Sequence, residues 1–152
     1  MIKTKIESFW IIGISVRTTN KNEQFAKDIP ALWNTFMSEG VMHKIPNKLN
    51  DTIYGVYTDY ESDHTEGYTT IIGYKVKNLD IIPEGMSSVQ IKESTYIRFT
   101  AKGDLNKNVI YNKWKDIWKL DLNRAYTTDF EVYGEEAVNP TDAEVDIFVA
   151  IN

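Results

Sequence analysis

The sequence predicts an α+β fold in which two strand-helix-strand-strand halves are fused in one chain, with a ligand cleft between them. Three observations carry that prediction. First, the 152 residues fill about one domain at the usual ~100–200 residues apiece. Second, runs of β-branched and aromatic residues alternate with two stretches of helical periodicity, and the order recurs at a spacing of roughly 75 residues. Third, the composition allows a real core: 42% of residues are hydrophobic and 26% charged, close to the globular average of about 25% charged and unlike a disordered chain. A domain of this length buries roughly 68–70% of its unfolded surface, so the absence of cysteine is no obstacle to folding. The expected unit is a single domain, 1–152, with repeats at about 8–77 and 86–151.

The elements follow in order. Phe9 to Val16 (FWIIGISV) reads as a buried strand that ends in the polar turn Arg17-Thr18-Thr19-Asn20. Apolar residues then recur at Phe25, Ile29, Leu32, Trp33 and Phe36, the spacing of a helix, with Asn20 or Asn22 as its cap and Glu39-Gly40 as its exit. Pro30 falls inside and kinks or divides it. Thr52 to Asp59 and Tyr68 to Val76 form a hairpin around an acidic turn. Ser87 to Ala101 is strand-like with a break at Glu93-Ser94, and Asp104 caps a second helix whose apolar face holds Val109 or Ile110, Trp114, Ile117 and Trp118. Tyr126 to Tyr133 and Ala143 to Ile151 close the chain as a second hairpin.

The charge balance excludes whole classes of partner. Lys and Arg number 17 against 22 Asp and Glu, a formal −5. Only Arg17, Arg98 and Arg124 are arginine, whereas nucleic-acid binding rests on a dense basic footprint rich in arginine. Cationic partners suit this chain better. Without cysteine there is no thiolate nucleophile, Cys-based zinc site or iron–sulfur cluster, which fits a reducing cytosol. The apolar run from Phe9 to Val16 is too short for a signal segment and far below the ~20 residues that span a bilayer. A cytoplasmic protein with no membrane contact and no direct nucleic-acid contact is expected.

In such an arrangement the helices cover the outer faces, and the cleft between the sheets is lined by strand residues that point away from them. Period-2 alternation in Asp129-Phe130-Glu131-Val132-Tyr133 then puts Phe130 and Val132 on a helix and turns Glu131 and Tyr133 into the cleft together. The same register turns Gly55 and Tyr57 inward, so that Gly55 leaves space opposite Glu131. Helical spacing assigns Trp114 and Trp118 to the core, whereas Trp33 and Phe36, near the end of the first helix, reach the cleft rim.

The chain resembles the GyrI-like small-molecule-binding domains, also called AraC-type or bacterial transcription activator effector-binding domains. The likeness runs from about Phe9 to Ile151 and is carried by Gly13, Ser15 and Arg17 at the end of the first strand, LWNTF, IPNK, YGVYTDYES, IPEGM, STYIRFTAKG, RAYTTDFEVYG and AEVDIFVAI. It is nearest to members that lack a helix-turn-helix. The resemblance implies two repeats about a pseudo-two-fold axis, and a glutamate on the penultimate strand, Glu131 by motif position, that receives cationic aromatic ligands. A carboxylate among rings is short of water and either takes a proton or waits for a cation. Faces of Tyr57, Tyr74, Tyr133 and Phe148 could stack on such a cation at ~0.5–2 kcal/mol per contact. With Trp33 and Phe36 they complete the expected ligand set.

The function so implied is binding of small lipophilic, cationic or aromatic compounds, in a multidrug-sensing, transcription-regulating or sequestering role. Two alternatives stay open: a hydrolase of strained or reactive compounds using Glu131 and a tyrosine such as Tyr133, and a gyrase-modulating protein-binding module. No catalytic residue, metal ligand or cofactor is assigned. His43 and His64 lie in no triad or zincin context. The acidic turn Asp59, Glu61, Asp63, His64, Glu66 lacks the glycine and the last glutamate of a calcium loop and reads as a solvated turn.

Overall fold

The computed structural model describes residues 2–152; Met1, counted within the expected domain, lies outside them. Its strands are β1 (Ile2–Ile6), β2 (Phe9–Thr19), β3 (Lys48–Thr58), β4 (Gly67–Val76), β5 (Ser87–Ile91), β6 (Ser94–Gly103), β7 (Thr128–Tyr133) and β8 (Ala143–Ala150). They form one curled antiparallel sheet in the order β1-β6-β8-β7-β3-β4-β2-β5. The helices are α1 (Phe25–Ser38), the single turn α2 (Val41–Lys44) and α3 (Val109–Trp118). Among the described residues no helix is long and apolar enough to cross a membrane.

The order is symmetric about the β3–β7 pair: β3, β4 and β2 run outward on one side, β7, β8 and β6 on the other. The outermost strands are exchanged. β1 precedes the first half yet pairs with β6 of the second, and β5 precedes β6 yet pairs with β2 of the first. Each half therefore completes the other's sheet. β1, with its lysines and only two apolar residues, carried too weak a pattern to be expected. Lys92 and Glu93 separate β5 from β6, so the break foreseen near Glu93-Ser94 is a change of position in the sheet.

Two expectations about the layers are corrected. There is one continuous sheet, not two facing sheets, and the helices lie on the face that carries Glu131. α1 brings Leu32 and Phe36 onto Ile12, Ile72, Tyr74 and Val76 of β2 and β4. α3 brings Trp114 and Ile117 onto Ile97, Phe99, Ile147 and Val149 of β6 and β8. Phe130 and Val132 sit on the opposite face, among Ile11, Val56, Ile71, Ile91 and Tyr96, where the strands pack on one another without a helix. The period-2 sorting of side chains holds. The helices go to the other side because each covers an outer part of the sheet and leaves the central β3–β7 pair open between them. Where β2 crosses β4, Gly13 stands opposite Gly73, and a Cβ on either would collide with the facing backbone.

Helix ends also differ from expectation. Gln24, not Asn20 or Asn22, takes the α1 N-cap position, because the Asn20 side chain is engaged with His64 and Tyr68. Pro30 lies within a single helix. Asp104 does cap, accepting from the Asn106 backbone N–H at 2.9 Å, but at a short 3-10 turn ahead of α3.

Candidate functional site

Between α1, α3 and the β3–β7 pair lies a cavity of about 1240 Å³, above the ~300–1,000 Å³ usual for small-molecule sites. Its floor is the β3–β7 ladder, in which Gly55 stands opposite Glu131, Tyr57 opposite Asp129 and Ile53 opposite Tyr133. Every second residue of these strands faces the cavity side. A single alternation thus delivers Asp129, Glu131 and Tyr133 from β7 and Ile53, Gly55 and Tyr57 from β3 to one surface.

Glu131 is the chemical centre. It is 1% exposed, and its carboxylate is held by three donors. Tyr57 Oη and Trp114 Nε1 donate to Oε2 at 2.8 and 2.7 Å, and Tyr133 Oη donates to Oε1 at 2.7 Å. Burial raises the carboxyl above its ordinary range, while the bonds from Tyr133, Trp114 and Tyr57 pull it back. Both tyrosine hydroxyls are pushed well above their usual range, first by burial and then by the charge of Glu131, so they stay protonated and donate. No cation pairs with Glu131 among the described residues, so its ionised form is a buried charge with hydrogen bonds but no counter-charge.

The rings around it are ordered by the helices. Trp33 of α1 meets Tyr133 edge-on at 5.0 Å between centroids, and Trp114 of α3 meets Tyr57 at 5.5 Å. Phe25 and Tyr111, at the starts of the two long helices, touch at 5.1 Å and join the helices across the cavity. Acidic residues Glu23, Asp51 and Glu135 line the cavity as well, whereas Arg124 is its one Lys or Arg side chain among the described residues.

A second buried network lies one strand position pair away. Asp129 is 0% exposed; its Oδ2 accepts from Arg124 Nη2 at 2.7 Å and Tyr60 Oη at 2.6 Å, and its Oδ1 from the Ala150 N–H at 2.8 Å. Burial works against the guanidinium charge of Arg124, and Asp129 and Tyr60 more than offset it. Arg124 therefore neutralises Asp129 and not Glu131.

Of the expected ligand set, the cavity brings together Glu131, Tyr133, Tyr57 and Trp33. Tyr74 and Phe36 do not line it: both are buried in the α1 core and pack on each other at 5.6 Å. Phe148 lies on the opposite face of the sheet, stacked on Phe130 at 4.8 Å, since its neighbour Ile147 takes the helix side. Trp114 and Trp118, expected only in the core, both line the cavity. Helical spacing marks a buried stripe but does not say that part of it is turned to a hollow. Gly55 does stand opposite Glu131, yet the space it leaves is filled by the carboxylate, whose Oε1 would be 3.1 Å from a Cβ placed there. Asp129 was legible from the same alternation as Glu131. Tyr60, His64, Tyr68 and Arg124 come from loops or from another strand and carried no such signal. Elsewhere in the acidic turn, Glu61 and Glu66 pair with Arg17 and Lys21.

Comparison with known proteins places this geometry. The profile of Cass2, the integron-associated effector binding protein, matches residues 3–151. The chain is 32% identical over 143 residues to YobU of Bacillus subtilis (strain 168), provisionally named a transcriptional regulator protein, with 91% of this chain and 89% of YobU covered. The integron cassette protein VCH_CASS2 from the mobile metagenome of Vibrio cholerae superposes with a TM-score of 0.78 at 27% identity, covering 99% of this chain and 95% of that one. SAV2435, solved bound to tetraphenylphosphonium, superposes with a TM-score of 0.80 at 19% identity over 99% and 93% of the two chains, and so shares the fold. The GyrI-like α+β fold with a cleft, which the resemblance implied, is the fold the chain has. Given the near-complete profile match and the identity to YobU, the chain belongs to the integron-associated effector-binding protein family.

Proposed function

We propose that the cavity receives bulky lipophilic aromatic cations as effectors, with Glu131 as the compensating charge, in a sensing or sequestering role. The observation that carries this reading is the buried Glu131 carboxylate, bonded by three ring donors and paired with no cation among the described residues. A buried unpaired charge costs several kcal/mol, and a guest that brings positive charge into the same low-dielectric space recovers part of that cost.

The donors also say how the guest is met. Tyr57, Tyr133 and Trp114 already occupy the carboxylate, so the cation sits against ring faces and hydroxyl oxygens. That favours delocalised or shielded cations without N–H donors over primary ammonium groups, which would lose water and find too few acceptors here for three N–H donors. The acidic residues Glu23, Asp51 and Glu135 add attraction for cations. The tetraphenylphosphonium bound by SAV2435 is a compound of this class.

The test is a titration with tetraphenylphosphonium followed by tryptophan quenching, in the wild type and in Glu131→Gln. Glutamine keeps the shape, and the Tyr133 hydroxyl can turn to accept from its amide. The substitution is expected to weaken binding tenfold or more, about 1.4 kcal/mol, with the ligand recovered chemically unchanged. Equal affinity in both proteins would remove Glu131 from the site, and turnover of the ligand would replace effector binding by catalysis.

A further inference from the structure

The cavity has a second polar end that the cation reading does not use. Arg124 lines it with a side chain 5% exposed, and its Nη2 is bound to Asp129, but Nε and Nη1 are buried with no hydrogen-bond partner. Beside it His64, also lining the cavity, has a buried Nδ1 without a partner. The imidazole lies flat on Trp118, at 5.1 Å and 8° between the rings, and Asn20 Nδ2 holds the His64 carbonyl at 2.6 Å. The position of the ring is therefore set by contacts that leave Nδ1 unused. Buried polar atoms without partners are rare in folded proteins and call for an explanation, of which a bound partner is one.

This end is tied to Glu131 through one side chain. Trp114 donates to Glu131 from Nε1, while the Arg124 guanidinium carbon stands 5.8 Å from the centre of the same indole. The two polar groups are one indole apart, within the reach of a single multi-ring guest. The Tyr126 ring also lies against the guanidinium, at 4.4 Å. It belongs to the stretch between α3 and β7, which has little regular structure, and its ring also packs on Tyr60 at 5.7 Å and on His64 at 6.5 Å.

Resting on the cation-binding reading, we infer that His64 and Arg124 form an acceptor-binding subsite, which takes a neutral carbonyl oxygen carried by the same cationic aromatic guest. A carboxylate fits less well, because Asp129 already neutralises Arg124 and the remaining charged side chains lining the cavity are acidic. Burial first, and then the charge of Arg124, holds the His64 imidazole below its ordinary range and hence neutral, so the ring carries one N–H and no second positive charge, and it donates to the guest in the tautomer that is protonated on Nδ1. The preferred effector is then a cation with an ester, amide or ketone about one aromatic ring from its charge.

Three phosphonium probes test this: tetraphenylphosphonium, the same ion with a methyl ester on one ring, and the same ion with a carboxylate there. In the wild type the ester is expected to bind at least fivefold more tightly than the parent. His64→Phe keeps the stack on Trp118 and removes the N–H; Arg124→Lys keeps a positive charge for Asp129 and alters the donor fork. Loss of the ester's advantage in either variant, with parent affinity retained, supports the subsite. An ester no better than the parent in the wild type, an advantage that survives both substitutions, or a preference for the carboxylate overturns it while the cation site stands. Failure of all three probes to bind the wild type would overturn both readings.

Discussion

Gly55 and Glu131 face each other across the β3–β7 ladder, and the glycine's missing side chain is what lets the carboxylate lie against the sheet with Oε1 only 3.1 Å from where a Cβ would stand. The same virtual atom lies 3.6 Å from the Tyr133 ring. A Cβ here would only touch the Tyr133 ring but would push the carboxylate aside by a few tenths of an ångström, and a larger side chain would push it further.

Gly55→Val is therefore expected to cost about 1–3 kcal/mol of stability through overpacking and to weaken tetraphenylphosphonium binding at least tenfold. Urea denaturation and the quenching titration measure the two effects. Unchanged affinity in a folded variant would mean that the carboxylate's position does not matter to the guest.

Two opposite pH dependences follow from the raised Glu131 carboxyl. The folded state keeps this proton longer than the unfolded chain, so the group favours folding in acid, and that contribution is lost as pH rises from the ordinary value of 4.5 through the raised one. Glu131→Gln should accordingly raise the melting temperature at pH 7, by about 2–4 °C for each kcal/mol relieved, and bring no gain below the free-carboxyl range. Cation binding runs the other way, weakening about tenfold per pH unit below the raised value. Melting curves and titrations across pH check both.

The donors to Glu131 favour its charged form, Tyr133 foremost. Tyr133→Phe should shift the midpoint of the binding-versus-pH curve upward by about one unit, since a hydrogen bond to a charged group is worth ~1.5–3 kcal/mol. Trp114→Phe should shift it the same way. A midpoint that stays in place would show that these bonds do not hold the acid ionised.

Arg124 and Asp129 form a pair with side-chain exposures of 5% and 0%. Arg124→Met leaves Asp129 buried with only the Tyr60 and Ala150 donors and should cost about 3–5 kcal/mol in urea unfolding. Adding Asp129→Asn should recover part of that loss, because the two substitutions act on one network. A loss near zero for Arg124→Met would mean that the pair is open to water.

Much of the site was legible because β-strand alternation is strictly local. From Glu131 the period of two leads to Asp129 and Tyr133 on one strand, and from Gly55 to Ile53 and Tyr57 on the other, whatever the rest of the chain does. Alternation cannot say which of two faces meets a helix, which is why Phe130 and Val132 were expected under one. Nor can it rank aromatic residues: Tyr74 and Phe148 have strand patterns as good as that of Tyr57, yet one is packed beneath α1 and the other lies on the far face.

By itself the sequence determined the alternating strands, the two long helices and the surplus of acid, which neighbours along the chain or simple composition set, while Glu131 was singled out by the resemblance of its motif. Tertiary structure alone decided that β1 and β5 change places between the halves, that the helices flank the acid's own face, and that Trp114, His64 and Arg124 converge on one hollow. The reason is physical: side-chain direction along a strand is set by the backbone of adjacent residues, whereas the meeting of a loop, a helix and a strand depends on how the whole sheet curls to bury its two faces.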